Sequence, residues 1–146
     1  MRYFLLACLV AAPLALAAPA AAGDIRDTIQ RQIDAFLAED LDAAFAVASP
    51  GIKRMFRTPE RFGEMVRSGY PMVWRPREVR YLDRRDHPGG GQVQRVMIRD
   101  GDGRLHLLDY LLIPTPDGWQ IAGVQLLRGQ TLSAAPQPAR SAALRA

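Results

Sequence analysis

The sequence predicts an α+β domain, with helices first and a four-stranded antiparallel sheet after them. Three observations predict it. Apolar residues between Ile25 and Val66 recur at helical spacing, which marks one buried stripe per helix. From Glu78 onward they fall in short runs separated by Gly, Asp and Pro turns, the pattern of hairpin-linked strands. A chain of 146 residues has room for one such domain, and helices followed by strands pack as a helical layer on one sheet face.

The first 22 residues stand apart from that domain. Arg2 precedes the apolar stretch Phe4 to Leu16, and small residues follow to Gly23. These features predict a secretory signal peptide cut after Ala22, with Ala17 and Ala20 as alternative cut points. Pro13 and Pro19 interrupt an apolar stretch shorter than the ~20 residues of an uncut span, so no stable membrane anchor is expected. Leu5-Leu6-Ala7-Cys8 resembles a lipoprotein box but lies too near the start, with most of the apolar stretch after it. The expected location is the periplasm or the exterior. Cys8 is the only cysteine and leaves with the signal. The domain expected over 23–129 therefore depends on an apolar core rather than a disulfide.

Charge bears on partners. Without Arg2 the net charge falls from +4 to +3. Arginines alternate with acids through Arg75, Arg77, Glu78, Arg80, Asp83, Arg84, Arg85 and Asp86, whereas nucleic-acid binding favours a patch of one sign. A solvated mixed surface is expected, and no nucleic-acid partner. Lys53, Arg54, Arg57 and Arg61 form the one local basic cluster, read as a solvated helix face.

The elements follow in order. Ile25, Ile29, Ile33, Phe36 and Leu37 predict a helix from about Asp24 to Ala38, capped by Asp24. Asp40 caps a second helix, Leu41 to Ala48, which Pro50-Gly51 ends. Thr58-Pro59-Glu60 starts a third helix, with Phe62, Met65 and Val66 inward, and Tyr70-Pro71 ends the helical half. Strands are expected over Val79–Leu82, Gln92–Arg99, Arg104–Ile113 and Trp119–Leu127, paired as a meander. His87 to Gly91 is a flexible turn in this reading, and residues 130–146 read as a disordered tail.

One strand raises a question. Leu105, Leu107, Leu111 and Ile113 lie on one side of the third strand, and Leu108, Tyr110 and Leu112 on the other. A sheet with one wet face alternates more cleanly. The second face must then be covered, either by a second copy in a homodimer or by strong curvature of the sheet on itself.

Several segments taken together are similar to an exported bacterial family known as a domain of unknown function, DUF4864. They are Asp40-Leu41-Asp42-Ala43-Ala44-Phe45, Ala48-Ser49-Pro50-Gly51-Ile52, Thr58-Pro59-Glu60-Arg61-Phe62, Met65-Val66, Gly69-Tyr70-Pro71, Arg75-Pro76, Tyr110, and Gly118-Trp119-Gln120-Ile121-Ala122-Gly123-Val124. The resemblance spans about Ile25 to Leu127. The element order also resembles the cystatin-like, cone-shaped fold of nuclear transport factor 2, scytalone dehydratase and ketosteroid isomerase. That likeness implies a curved sheet, a pocket between helices and sheet, and often a dimer, but no particular activity.

Candidate chemistry is sparse. Asp109 shares a strand side with four aliphatic residues, so it either holds a raised pKa and serves as a general base or has an arginine partner. The bland reading is a salt bridge, a bulge or a dimer rim. His106 falls on the opposite side of that strand, so the two cannot act together. Tyr70, Trp74, Tyr110 and Trp119 are candidate ligand contacts, with ordinary core packing as the alternative. Two distant histidines predict no metal site, and Asp100-Gly101-Asp102-Gly103 reads as a hairpin turn rather than a calcium loop. No cofactor motif is found. The expectation is a non-catalytic exported domain binding a small ligand or a protein partner. The alternative is an isomerase or dehydratase with Asp109 as base and Tyr70 or Tyr110 as donor.

Overall fold

The computed structural model describes residues 22–128, with side chains from Ile25 onward. The segment up to Ala21 that is expected to belong to a signal peptide, the tail expected over 130–146 and the Asp24 side chain lie outside what it describes. Five helices precede four strands: α1 (Ala22–Leu37), α2 (Leu41–Ala46), α3 (Pro50–Phe56), α4 (Pro59–Gly69), α5 (Pro71–Trp74), then β1 (Glu78–Asp86), β2 (Gln92–Arg99), β3 (Leu105–Thr115) and β4 (Gly118–Leu127). The chain is α+β, and the helices contact the sheet.

Helix α1 buries the isoleucines at 25, 29 and 33 together with Phe36. Leu37, expected in that stripe, is 42% exposed instead. Thr28 and Gln32, which no apolar pattern marks, are buried because α1 is wedged between α2 and β4. The Thr28 hydroxyl donates to the Trp119 carbonyl at 3.3 Å, and the Gln32 amide to the Ala44 carbonyl at 3.2 Å. The helix closes through a left-handed Glu39 (φ 57). Glu39 and Asp40 donate backwards to Phe36 and Ala35 at 3.0 and 2.8 Å, a Schellman ending. The Asp40 carboxylate then accepts from the Ala43 amide, capping α2.

Two expected stops are helix starts. Pro50-Gly51 does not end a helix running to Ala48. Helix α2 stops at Ala46, and Val47 and Ser49 form a short parallel bridge to Ile121 of β4 (2.9 and 2.8 Å). Ser49 then caps α3 with Pro50 in the first turn, the same Ser/Thr-Pro device that Thr58-Pro59 uses for α4. Pro71 likewise opens α5, whose Met72, Val73 and Trp74 are all buried. Phe62 sits among Phe36, Phe45 and Phe56 with ring centroids 5.5–5.9 Å away, within the range of favourable aromatic pairs. Gly63 lets α2 and α4 approach, since a Cβ there would lie 2.6 Å from Leu41 Cδ2.

The sheet is a meander in the order β1-β2-β3-β4. Strand β1 runs four residues beyond the expected Leu82, because a bulge between Tyr81 and Arg84 shifts its register and obscures its alternation. The Gln94 amide fills the gap, donating to the Leu82, Asp83 and Arg95 carbonyls at 3.0, 3.2 and 2.9 Å. A second irregularity separates Leu111↔Gly123 from Leu112↔Ile121 and leaves Ala122 as the extra residue. The helices lie on the face that carries Val96, Ile98, Leu108, Tyr110, Leu112 and Ile121. Gly91 is not simply a flexible link. Its φ is +88°, and a Cβ would fall 2.3 Å from the Leu112 carbonyl oxygen.

Candidate functional site: an apolar cavity under the helices

Between the helices and the C-terminal half of the sheet lies a cavity of about 340 Å³, within the size range of small-ligand pockets. Helix α1 contributes Gln32 and Phe36, α3 contributes Ile52, Met55 and Phe56, and α4 contributes Phe62, Met65 and Val66. Tyr70 and Val73 close one side, and Tyr110 with residues 121–124 forms the sheet wall. The spacing of residues 52, 55 and 56 puts three apolar side chains on one flank of α3. Met55, 71% exposed, marks the rim. No charged side chain among the described residues lines the hollow.

Three of the lining residues carry a polar side-chain group: Gln32, Tyr70 and Tyr110. The Gln32 amide already donates to Ala44, and the Tyr70 hydroxyl donates to the Val124 carbonyl at 3.0 Å. Tyr110 differs from both. It is fully buried on β3, and its hydroxyl has no hydrogen-bond partner among the described residues. Burial pushes its ionisation well above the ordinary tyrosine value, with the Tyr81 and Tyr70 phenols adding to the shift. The hydroxyl therefore keeps its proton. Tyr81 is itself pushed up to about 12, by burial first and then by Asp34 and Asp27. Its hydroxyl donates to Gln30.

The structure separates the remaining candidates from this cavity. Trp74 packs in the core against Phe36 at 5.4 Å, with the Arg67 guanidinium 4.5 Å above its ring. Trp119 borders a different depression, with Asp27, Thr28, Arg31 and Asp117. Asp109 is on the opposite sheet face, because Tyr110 next to it points toward the helices. Arg95 grips it with two hydrogen bonds (2.8 and 3.1 Å), and Arg85 adds a third at 2.5 Å. The Arg95 hydrogen bonds lead in holding the Asp109 carboxyl below the usual carboxylate range, and Arg85 adds to this against the opposing effect of burial. Such a group is a weaker base than an ordinary aspartate. The structure thus brings Tyr70 and Tyr110 to one cavity and does not bring Asp109 to them.

The histidines take local roles. His106 Nε2 lies 2.7 Å from the Asp100 carboxylate, whose other oxygen accepts from the Asp102 and Arg104 amides. Asp100 therefore organises the β2–β3 turn. Its carboxyl is held below the usual range, by the His106 hydrogen bond first. His87 shares a shallow depression on the outer face with Arg85 and Asp109. No group of three or more His, Cys, Asp or Glu among the described residues is placed to hold a metal ion.

The outer face is partly covered by the chain itself. Val93, Leu107 and Asp109 are buried, while Leu105, Leu111, Ile113 and Leu127 are half-buried. The ion pairs bring the long Arg85 and Arg95 side chains across this face to Asp109, and arginine stems commonly cover apolar surface in this way.

A helix-covered antiparallel meander enclosing an apolar hollow is the class these features define. The family described as Domain of unknown function (DUF4864) matches residues 18–134, and the chain belongs to it. No curated protein and no solved structure matches the chain. No helix among the described residues is long and apolar enough to cross a membrane.

Proposed function

We propose that this is an exported, non-catalytic domain that holds a small, mostly apolar molecule in the cavity between the helices and the sheet. The lining carries this reading. It is mostly aliphatic and aromatic, and no charged side chain among the described residues lines it. Pockets of that kind bind by apolar burial and orient the ligand with one or two polar contacts. The order of elements and the position of the hollow support the likeness to the cone-shaped fold of nuclear transport factor 2 and ketosteroid isomerase. The rival acid–base reading loses its base from the cavity, since Asp109 lies across the sheet and is ion-paired.

An NMR titration with toluene tests the proposal. Amide shifts are expected to centre on Val66, Tyr110 and Ile121 and to vanish in Met65→Trp, which fills the hollow. Shifts scattered over the surface, or unchanged in the variant, would overturn it. Export is part of the same proposal, and a mature N-terminus at Gly23 in material recovered from outside the cytoplasm supports it. So is self-association through the outer sheet face, which a monomer in sedimentation equilibrium at micromolar concentration would remove.

A further inference from the structure

We infer that the cavity takes an anionic amphiphile, a single-chain molecule whose apolar tail fills the hollow and whose acidic head stays at the mouth among the arginines of α3 and α4. The inference rests on the ligand-binding reading above and deepens it.

Helix α3 is both wall and rim. Ile52, Met55 and Phe56 line the hollow, yet no residue of this helix is fully buried and Met55 is 71% exposed. Lys53 and Arg54 stand between those lining residues, and Arg57 is the C-cap. On α4, Arg61 precedes Met65 by one turn and shares its flank. That flank is the one away from Gly63, which meets Leu41 of α2. Each of the four cations is therefore next in sequence to a side chain that lines the hollow, and the three arginines are exposed.

These charges are not neutralised by the chain. Arg75, Arg80, Arg85, Arg95 and Arg99 each pair with a carboxylate. Among the described residues none of Lys53, Arg54, Arg57 and Arg61 does so, and Asp42, Glu60 and Glu64, the acids of α2 and α4, leave them unpaired. The Lys53 ammonium donates to the Ala46 carbonyl at 3.0 Å. An ionised head drawn inside would lose its hydration with no charged side chain to offset the loss. At the mouth it keeps water and meets guanidinium forks suited to an acidic oxygen pair. A neutral hydrocarbon uses the wall alone, and a cationic amphiphile is repelled at the rim.

Decanoate, decanol and decyltrimethylammonium share one tail and differ in the head. Calorimetry at neutral pH and low salt, below micelle formation, is run on the wild type, on Arg54→Gln with Arg57→Gln and Arg61→Gln combined, on Arg104→Gln and on Met65→Trp, each checked for native circular dichroism. Decanoate should bind the wild type about tenfold more tightly than decanol, as two or three exposed charge contacts allow, and decyltrimethylammonium most weakly. The preference should shrink in about 0.5 M salt. The triple variant should bring decanoate down to decanol while moving decanol less than about twofold. Arg104→Gln, exposed in the β2–β3 turn, should leave the order unchanged. Equal binding of decanoate and decanol to the wild type, or a preference that survives in the triple variant, would overturn the inference and leave the pocket standing. So would binding to phosphatidylglycerol vesicles that persists in Met65→Trp while decanoate gains nothing over decanol, since the arginines would then serve a membrane surface. If no probe binds the wild type, or Met65→Trp binds all three unchanged, the pocket reading fails and this inference with it.

Discussion

Replacing Tyr110 by Phe should make the ligand-free protein more stable. The side chain is fully buried, so its hydroxyl has given up water, and no described group takes its hydrogen. Leaving a buried polar group unsatisfied costs about 1–3 kcal/mol. Phenylalanine keeps the ring and removes only the oxygen. The extra void, roughly 10–15 Å³, costs roughly 0.3 kcal/mol at about 24 cal/mol per Å³. The net gain is about 1–2 kcal/mol, and in a domain of roughly this size each kcal/mol raises Tm by about 4–8 °C. Alkali adds a second signature. Tyr110 has a raised folded-state pKa, so its share of stability is present below the ordinary value of 10.0 and is lost as pH rises beyond it. The advantage of the variant should therefore widen above pH 10.0, because only the wild type carries that loss. Urea unfolding at neutral and alkaline pH measures both effects. A variant less stable by 1 kcal/mol or more would refute the reasoning, since it would mean that the hydroxyl is already satisfied, for instance by an ordered water.

Two further substitutions probe the frame around the cavity. Asp109→Asn should cost about 2–3 kcal/mol at neutral pH by leaving Arg95 and Arg85 without their carboxylate, less than a fully buried pair because both arginines keep some solvent. Asp109 has a lowered folded-state pKa, so its contribution holds above the ordinary 3.8 and is lost as pH falls through the folded value. The gap between wild type and variant in thermal scans should close in that acid window, and a gap independent of pH would refute the assignment. Gly91→Ala should cost about 3 kcal/mol or more, from strained φ plus a collision with the Leu112 carbonyl. Gly90→Ala, at φ +89° with open space around the new methyl, should cost about 1 kcal/mol. Equal losses in urea unfolding would show that the collision is relieved.

The fold class was legible because β-period runs and glycine-rich turns are local signals. The number of helices was not. Ser49-Pro50-Gly51 and Tyr70-Pro71 hold residues that both end and begin helices, and only Ser49 Oγ accepting from the Ile52 amide at 3.4 Å distinguishes the two senses at the first. Strand β1 looked short because its bulge breaks the alternation at Leu82 and Asp83. The covered face of the sheet could not be read from β3, which is apolar on both sides. It was readable from β2, where Arg95 and Arg99 alternate against Gln94, Val96 and Ile98. Counting back from the Asp100-Gly101-Asp102-Gly103 turn pairs Arg99 with Leu105 and hence Arg95 with Asp109. The arginine partner of Asp109 was therefore available in the sequence. The cavity was not, because it depends on how the helices settle over one end of the sheet.

Asp109 and Tyr110 are consecutive residues with opposite fates, and their adjacency links the outer ion cluster to the inner site. A strand that slips by one residue exchanges its two faces. For β3 this would push a carboxylate beneath the helices and turn the Tyr110 hydroxyl outward. Arg95 and Asp109 are direct cross-strand partners, so their two-pronged contact forms only in the observed register, and Arg85 from β1 extends the same constraint across a third strand. Because β3 is apolar on both sides, burial alone discriminates weakly between the two registers. The ion cluster supplies the difference. On this argument Asp109 matters to the cavity without touching it, since it keeps Tyr110 facing the space in which a ligand would lie.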